Sequence, residues 1–274
     1  MPTEKRLRGR PRSFNDNRAQ NTVQSLDRAL DVLELLTDQG SRTLTGISAA
    51  LEQSPATIYR MLTTFQLRGV VRMNPTTQEW NIGPEAYRIG SAFLRQGGLI
   101  ERSRPFMHTL MEETRETANL GIEKSDEVLF VSQVETHETI RAFFPPGTQS
   151  PMHASGIGKA LLSMYSEERF ERLLKKMRLE AFTEFTITDR DRLRDEMLRI
   201  RQQGYSFDNE ERTVGMRCVA APITNVHGEV IAGISVSGPS HRMTLERVPG
   251  MGAIVRQAAD ATSQGAVAMQ GMER

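Results

Sequence analysis

Apolar residues recur at helical spacing in three short segments near the start of the chain. The first segment carries them at Leu26, Ala29, Leu30, Leu33 and Leu36. The second follows Thr45, which we interpret as its N-cap, and the third follows Ser54, with Pro55 at its first position. The third has its expected buried stripe at Ile58, Met61, Leu62 and Phe65. The pattern therefore predicts three consecutive helices.

Two short runs with strand character come directly after the third helical segment. They cover Val70–Met73 and Glu79–Ile82, and the turn-forming residues 74–78 join them. Gly69 precedes the first run and suits the left-handed conformation that often ends a helix. Three helices followed by a hairpin predict a winged helix-turn-helix over residues 21–83.

The remainder of the chain alternates helical and strand-like segments. Residues 84–99 are predicted to form a linker helix, and residues 100–274 a second domain. Its predicted strands are Leu120–Glu123, Val128–Val134, Thr139–Phe144, Cys218–Thr224 and Val230–Ser237. Its predicted helices are 99–117, Gly156–Met164, Glu167–Met177, Asp189–Gln203 and Val248–Ala268. Since tight turns join neighbouring strands, the fold class is α+β, with helices packed on an antiparallel sheet.

Composition narrows the class of protein. The chain has 274 residues, of which 38% are apolar and 25% charged, and this suits about two globular domains. No apolar stretch is long enough to cross a bilayer, and the basic start of the chain lacks the apolar segment of a secretory signal. The single cysteine, Cys218, excludes an internal disulfide. We therefore expect a cytoplasmic protein that has no membrane partner.

The first 20 residues form a basic arm without apolar periodicity, so we expect them to be disordered when unbound. Within this arm, Arg8, Arg10 and Arg12 alternate with glycine and proline. The segment resembles the core of an AT-hook, whose arginines lie in a narrow, A·T-rich minor groove. A solvated tail without a partner is the alternative interpretation.

A helix-turn-helix places the beginning of its second helix in the major groove of DNA. In this chain that region is the start of the third predicted helix, and its candidate DNA-binding residues are Ser54, Ala56, Thr57, Tyr59 and Arg60. The Arg60 guanidinium can pair in a bidentate manner with guanine or phosphate. Arg72, in the predicted hairpin, is a candidate for contacts with the DNA backbone. A capped surface helix without DNA is the alternative.

A second set of candidate residues lies in the predicted C-terminal domain. Residues 153–160 follow a strand-like run and open a helix, whose unpaired N–H groups and positive end favour an anion. Gly156 and Gly158 would allow a ligand to approach the backbone closely. Later segments add the polar candidates Asp208, Cys218, Ser235 and Ser237, the two serines on one face of their strand. The alternatives are a glycine turn without ligand, solvated serines and a core cysteine.

Taken together, these segments resemble the IclR family of bacterial transcription regulators. The matching stretches are SLDRALDVLELL, SPATIYRMLTTFQLRGVV, the hairpin ending in WNIG, MHASGIGKALLS, GYSFDNEERTVGMRCVAAPI and AGISVSGPSHRM, and they span about residues 25–260. The resemblance implies a winged helix-turn-helix, a linker helix and a GAF-like effector-binding domain. It also implies a DNA operator as partner and a homodimer or homotetramer. We expect no cofactor.

The resemblance is strongest to the branch of this family that responds to glyoxylate and pyruvate-like acids. It implies that the ligand-binding residues are Ser155, Gly156, Ile157, Asp208, Cys218, Ser235 and Ser237. Ile157 stands where this branch often has alanine, and its larger side chain would shrink the pocket to suit a two-carbon acid. We therefore expect a regulator that senses glyoxylate. A pyruvate-like, aromatic or sugar acid is the alternative effector.

An enzyme that acts on a small oxo acid is a more remote alternative. His153, Ser155 and Asp208 supply the residue types of a catalytic triad, but the chain has no Gly-x-Ser-x-Gly nucleophile motif. The histidines lack the spacing of a metal site. We therefore assign no catalytic and no metal-ligating residue. Whether DNA binding activates or represses transcription is left open by the sequence.

Overall fold

The computed structural model describes residues 22–95 and 98–270, which divide after Arg95 into two compact units. The predicted basic arm, with Arg8, Arg10 and Arg12, lies outside the described residues. Each unit has its own apolar core and is described by itself.

The N-terminal unit contains a three-helix motif, a small sheet and a further helix. In chain order its elements are α1 (Gln24–Gln39), β1 (Arg42–Thr43), α2 (Leu44–Ala50), α3 (Pro55–Leu67), β2 (Val71–Met73), β3 (Glu79–Ile82) and α4 (Pro84–Arg95). The strands form an antiparallel sheet in the order β1-β3-β2. The core residues are Val32, Leu36, Ile47, Ile58, Leu62, Val71 and Trp80. This is the predicted winged helix-turn-helix followed by the linker helix.

Local capping fixes where the helices of this unit begin. Ser54 caps α3 as predicted, since its Oγ accepts a hydrogen bond from the N–H of Thr57 over 3.2 Å. The prediction that Thr45 caps α2 is wrong. Thr43 is the cap, because its Oγ1 accepts from the N–H of Gly46 over 3.2 Å and α2 already begins at Leu44.

The C-terminal unit is built on one six-stranded sheet. Its helices are α5 (Leu99–Thr114), α6 (Gly156–Ser163), α7 (Glu167–Lys176), α8 (Arg190–Gln203) and α9 (Val248–Gln270). Its strands are β4 (Thr117–Lys124), β5 (Glu127–Val134), β6 (Gln149–Pro151), β7 (Ser206–Asn209), β8 (Met216–Thr224) and β9 (Val230–Pro239). The strand order is β6-β5-β4-β9-β8-β7, and each neighbouring pair is antiparallel.

Helices cover the two faces of this sheet in different ways. One face carries the larger core with α5 and α9, and it includes Leu120, Val219 and Ile234. The other face carries a core with α6, α7 and α8, and it includes Val128 and Ala220. Side chains alternate along a strand, so successive residues of β8 face opposite helices. Val219 belongs to the core with α9, and the next residue, Ala220, belongs to the core with α6.

The sequence prediction differs from the structure in the short strands. The predicted strand Thr139–Phe144 is irregular, although its residues alternate in character. The edge of β5 is instead occupied by β6, where Ser150 is paired with Val128. Strands β1, β6 and β7 were missed. Each has four residues or fewer, as do β2 and β3, but β2 and β3 could be predicted because a turn-forming stretch joins them.

Candidate functional site

The beginning of α3 presents a polar surface beside the core of the N-terminal unit. Tyr59 is 55% exposed and Arg60 is also exposed, while Ile58 between them and the cap is fully buried. The hydroxyls of Ser54 and Thr57 hydrogen-bond to each other over 2.9 Å, so both help to hold the cap. Tyr59 and Arg60 are therefore large exposed side chains on this part of α3.

The β2–β3 hairpin adds a second polar surface to the same unit. Arg72 is exposed on β2, and Ala56 is exposed on the first turn of α3. The turn at the hairpin tip is held by Asn74, whose Oδ1 accepts from the N–H groups of Thr76 and Thr77 at 2.9 and 3.4 Å. These side-chain hydrogen bonds fix the shape of the hairpin tip.

In the C-terminal unit the strand register brings four of the predicted site residues onto one face of the sheet. Asp208 of β7 is paired with Cys218 of β8, and Cys218 is paired with Ser237 of β9. Ser235 lies two residues before Ser237 on the same strand. Directly opposed residues of antiparallel strands, and residues two apart, share a face. The four side chains therefore form one polar patch.

The first turn of α6 lies directly over this polar patch. A Cβ at Gly156 would lie 2.6 Å from the Sγ of Cys218, so only glycine fits at this contact. Ser206, on the same sheet face, donates a hydrogen bond from its hydroxyl to the carbonyl of Gly156 over 2.6 Å. The start of the helix is thereby held against Asp208, Cys218 and the two serines.

The backbone at this helix start offers donors to an anion. Ser155 caps α6, since its Oγ accepts from the N–H of Gly158 over 3.3 Å. The amides of Gly156 and Ile157 are the remaining donors of the first turn, which also carries the positive end of the helix dipole. The Ile157 side chain packs over the sheet where Gly121 and Gly233 leave room for it. Ile157 thus supplies an apolar wall beside a polar floor.

A fully buried lysine lies behind the site. The Nζ of Lys159 donates to the carbonyl of Phe207 over 2.6 Å and also pairs with Glu211 and, at 3.3 Å, with Glu196. Burial disfavours its charge, but Glu211, Glu196 and Asp208 together hold the pKa of Lys159 above its usual value. Lys159 is therefore a buried cation that ties α6 to α8 and to the segment that carries Asp208.

The environment of Asp208 changes its protonation. Burial and the neighbouring Glu211 raise the pKa of Asp208 to about 7, against the opposing effect of Lys159. Its Oδ1 accepts a hydrogen bond from the N–H of Glu211 over 2.8 Å. A large fraction of Asp208 is therefore neutral near pH 7. A neutral carboxyl removes the repulsion that an ionised aspartate would exert on an anionic ligand.

Cys218 behaves as a thiol in this site. Burial and the adjacent Asp208 raise the pKa of Cys218 to about 11, while the nearby hydroxyls of Ser237 and Ser235 oppose the shift. Little thiolate exists at neutral pH with this pKa, so Cys218 is a poor nucleophile toward a carbonyl. Cys218 is therefore suited to donate a weak hydrogen bond.

The polar patch contains two residues that the sequence interpretation missed. Asn119 of β4 is fully buried, and its Nδ2 donates to the Oγ of Ser237 over 3.3 Å. Gln133 of β5 donates from Nε2 to the Oδ1 of Asn119 over 3.2 Å. Asn119 lies just outside the predicted strand Leu120–Glu123, so no face of the sheet could be assigned to it. Gln133 lies inside the predicted strand Val128–Val134, where a polar residue was the available signal.

Known proteins match both units of the chain. Residues 91–264, more than half of the chain, match the family described as bacterial transcriptional regulator IclR C-terminal. Residues 25–75 match the IclR helix-turn-helix domain. The chain belongs to the IclR family. It is therefore a DNA-binding transcription regulator with an effector-binding C-terminal domain.

Full-length relatives show that the likeness to IclR-family regulators extends over both units. The regulator BhcR of Paracoccus denitrificans is 51% identical over 268 residues, which are 97% of this chain and 96% of that protein. The transcriptional repressor IclR of Escherichia coli is 40% identical over 255 residues, 92% of this chain and 93% of that protein. These relatives are regulators and not enzymes, so the enzyme alternative is set aside.

Solved structures of IclR-family proteins share the fold. A regulator from Rhodococcus is 27% identical, with a TM-score of 0.80 over 90% of this chain and 100% of that chain. A homologue from Microbacterium hydrocarbonoxydans, solved with 4-hydroxybenzoate, is 26% identical, with a TM-score of 0.77 over 89% of this chain and 99% of that chain. Within the described part of this chain, no helix is long and apolar enough to cross a bilayer.

Proposed function

We propose that this IclR-family regulator senses a small carboxylate, with glyoxylate as the first candidate, and changes its operator binding in response. The observation that carries the proposal is the convergence of Asp208, Cys218, Ser235 and Ser237 under the first turn of α6. These residues come from three strands and are brought together only by the strand register. The proposed binding residues are these four with Ser155, Gly156 and Ile157.

The chemistry of the site favours an acid. The amides of Gly156 and Ile157 and the hydroxyls of Ser235 and Ser237 would donate to the carboxylate. The Cys218 thiol and the neutral carboxyl of Asp208 would donate to the aldehyde oxygen or to its hydrate. Ser155 contributes through its cap, which sets the direction of α6.

The burial of the site favours a small acid over a large one. Ser235 is fully buried, and Ser237 and Asp208 are 3% and 8% exposed. The wall formed by Ile157 further limits the length of a ligand. A two-carbon oxo acid satisfies these limits with the fewest displaced side chains.

An aromatic acid is the second candidate effector. A relative of the same fold was solved with 4-hydroxybenzoate, so this architecture can hold a benzoate. In this chain Phe144 stacks on Phe130 with ring centroids 5.0 Å apart, and separation of the two rings would open space beside α6. Isothermal titration with glyoxylate, pyruvate and 4-hydroxybenzoate therefore decides between the two classes.

The titration tests the proposed binding residues directly. We expect saturable binding of glyoxylate by the native chain, weakened at least about tenfold in Asp208→Ala and Ser237→Ala, because a hydrogen bond to a charged group contributes about 1.5–3 kcal/mol. Gel shifts on the promoter of the chain's own gene should change when glyoxylate is added. Absence of binding heat for glyoxylate in the native protein would refute the assignment.

We further propose a division of the chain into a DNA-contacting arm (1–20), a winged helix-turn-helix (21–83), a linker helix (84–99) and an effector domain (100–274). The proposed DNA contacts are Ser54, Ala56, Thr57, Tyr59 and Arg60 in the groove, Arg72 on the wing, and Arg8, Arg10 and Arg12 in the arm. A DNA-binding bacterial regulator of this kind would act in the cytoplasm.

A symmetric homodimer, or a tetramer made from two dimers, is the proposed assembly. Large apolar side chains are exposed on α1 and α4, among them Leu26 (58%), Tyr87 (76%), Ile89 (55%) and Phe93 (53%). Exposed apolar side chains that cluster on two helices are typical of an interface. Two-fold symmetry would place two α3 helices on the half-sites of a palindromic operator.

A further inference from the structure

We propose that Asn119 is an additional specificity-determining residue of the effector site, and that Gln133 positions its amide so that the site selects a carboxylate anion over a neutral ligand. This inference rests on the proposed binding of a small acid. It concerns residues of β4 and β5, which lie on the far side of β9 from Asp208 and Cys218.

The strand register places Asn119 in the polar patch. Asn119 is directly opposite Ser235 in the pairing of β4 with β9, and Gln133 is directly opposite Asn119 in the pairing of β5 with β4. The three residues therefore continue across the sheet the face that Ser237 and Cys218 occupy. Asn119 and Ser235 are both fully buried, so solvent does not compete for their hydrogen-bonding groups.

Gln133 determines which end of the Asn119 amide faces Ser237. Its Nε2 donates to the Oδ1 of Asn119 over 3.2 Å, which directs that oxygen toward β5. The Nδ2 of Asn119 then faces the opposite way and donates to the Oγ of Ser237 over 3.3 Å. The direction of hydrogen bonding thus runs from Gln133 through Asn119 to Ser237.

This direction fixes the role of Ser237. A serine hydroxyl has one proton and two lone pairs. Because one lone pair of Ser237 accepts from Asn119, the Ser237 proton is available for a ligand. The proposed function has the Ser237 hydroxyl donating to the carboxylate, and the contact with Asn119 supplies the reason for that direction.

The Asn119 amide has a second N–H, and Ser235, directly opposite on β9, has a hydroxyl that makes no hydrogen bond to the described residues. The Oγ of Ser235 is buried and has no hydrogen-bond partner among the described residues. A buried polar atom left without a partner is costly unless a ligand supplies one. Asn119, Ser235 and Ser237 thus form an array of donors, which stabilises a carboxylate and opposes a group that itself carries N–H bonds.

The test compares an acid with its amide in variants that change one hydrogen-bonding group. Glyoxylate and the neutral glyoxylamide are titrated calorimetrically at pH 7 into the native protein and into Asn119→Asp. The new carboxylate accepts from Ser237 and repels an anion, so glyoxylate should bind about 10- to 100-fold more weakly, as expected for the loss of a charged hydrogen bond. The preference for the acid over the amide should shrink by a similar factor or reverse.

Gln133→Glu provides a second variant that does not replace Asn119 itself. A glutamate accepts from the asparagine amide, so Asn119 should turn its Oδ1 toward Ser237 and withdraw the Ser237 proton from the ligand. We expect a smaller loss of glyoxylate affinity, in the same direction, and a reduced preference for the acid. This variant keeps the inference testable if Asn119→Asp fails to fold.

Asn209→Asp is the matched control. It makes the same chemical change in the same sheet, but Asn209 follows Asp208 directly and so faces the other way. Its Oδ1 accepts from the Nε of Arg217 over 2.8 Å, and a carboxylate there keeps this partner. We expect native affinities for both ligands.

The possible results separate this inference from the proposed function. Native affinity and native selectivity in Asn119→Asp and Gln133→Glu would overturn the inference and leave the proposed function intact. An equal loss for acid and amide would also overturn it, because a merely structural role affects both ligands alike. If the native chain binds another small carboxylate in place of glyoxylate, the comparison uses that acid and its amide, and if it binds none, both proposals fail.

Discussion

The proton on Asp208 determines the charge that a ligand would meet in the proposed effector site. Burial and the neighbouring Glu211 raise the pKa of Asp208 to about 7, and Lys159 opposes this shift. An ionised Asp208 beside a bound acid would leave two anions close together in a poorly solvated place. In the proposed site, a protonated Asp208 would instead donate a hydrogen bond to the ligand.

We expect the affinity for glyoxylate to fall as the pH rises through about 7. The folded pKa is raised from the ordinary 3.8 to about 7, so Asp208 is protonated below this range and ionised above it. If binding requires the proton, Kd rises by up to about tenfold per pH unit above pH 7. Calorimetric titrations at pH 6, 7 and 8 measure this slope.

Asp208→Asn is the control for this pH dependence. Asparagine has a similar shape and cannot ionise, so its affinity should stay level over the same pH range. A native Kd that does not change between pH 6 and 8 would contradict the assigned protonation. By the same linkage, Asp208 lowers the free energy of unfolding as the pH rises from about 4 to about 7, since the folded state holds its proton more tightly.

Some residues of the candidate site could be predicted from the sequence, and others could not. Four site residues were candidates because they are polar or sulfur-bearing and lie in or beside predicted strands, and the resemblance to the IclR family implied their role. They are Asp208, Cys218, Ser235 and Ser237. Lys159 gave no such signal, because its partners Glu196 and Glu211 are 37 and 52 residues away in the chain. A lysine in a predicted helix is normally solvated, and only the packing of α6 shows that this one is buried.

Among the elements, α3 is the proposed DNA-reading helix, and its structure follows from a local sequence pattern. Its cap, its proline and its apolar spacing were all visible in the sequence, and the structure agrees with them. The cap aligns the first turn, and the buried Ile58 and Leu62 fix the rotation of the helix about its axis. Tyr59 and Arg60 consequently point away from the core.

We expect Arg60→Ala and Arg72→Ala to weaken operator binding in different ways. Arg60 lies on the proposed groove-facing turn. If it contacts a base, Arg60→Ala should cost about 1–3 kcal/mol of binding free energy and relax the sequence preference. Arg72 lies on the wing. Arg72→Ala should weaken binding to all DNA sequences alike and reduce the slope of log affinity against log salt concentration by about 1. Fluorescence anisotropy on operator and scrambled DNA at several salt concentrations measures both effects.

Arg172→Ala is a control for the change in net charge. Arg172 is exposed on α7 of the C-terminal unit and pairs with Glu168. Its removal should leave the operator affinity within about twofold of the native value. An Arg60→Ala protein with native affinity and native sequence preference would exclude α3 as the element that reads DNA.

Elements of different length were predictable to different degrees. The long helices and β5, β8 and β9 show several periods of their pattern, and their bounds agree with the structure within a few residues. The segment 139–144 alternates like a strand, but Arg242 hydrogen-bonds to the carbonyl of Ile140 and Ile140 is 64% exposed, so it lies outside the sheet. Whether such a segment becomes a strand depends on a neighbouring strand with which it can pair, and the sequence of the segment alone does not reveal that neighbour.

At the scale of the whole molecule, exposed apolar side chains on α4 predict an assembly. We expect the native chain to sediment as a dimer or tetramer. The double variant Ile89→Glu, Phe93→Glu should sediment as a smaller species, because two charges would have to be buried in the interface. Analytical ultracentrifugation over a range of protein concentrations measures the mass.

Val226→Glu is a matched control for the assembly. Val226 is an exposed apolar residue in the turn between β8 and β9, 37% accessible, and it should tolerate the charge without a change in mass. A native mass for the α4 double variant would show that this helix does not join the subunits. The weakened dimer should also lose affinity for a palindromic operator more than for a single half-site.

The contact between Ile157 and the two glycines beneath it separates the length limit of the site from its charge preference. Gly121 and Gly233 receive the isoleucine side chain, whereas Ser235, Ser237 and Asn119 present hydrogen-bond donors on neighbouring positions of the same strands. A shorter residue at 157 would lengthen the available space and leave those donors in place. A single substitution at position 157 could thus let the regulator evolve to sense longer acids, while the groups proposed to recognise the carboxylate stay in place.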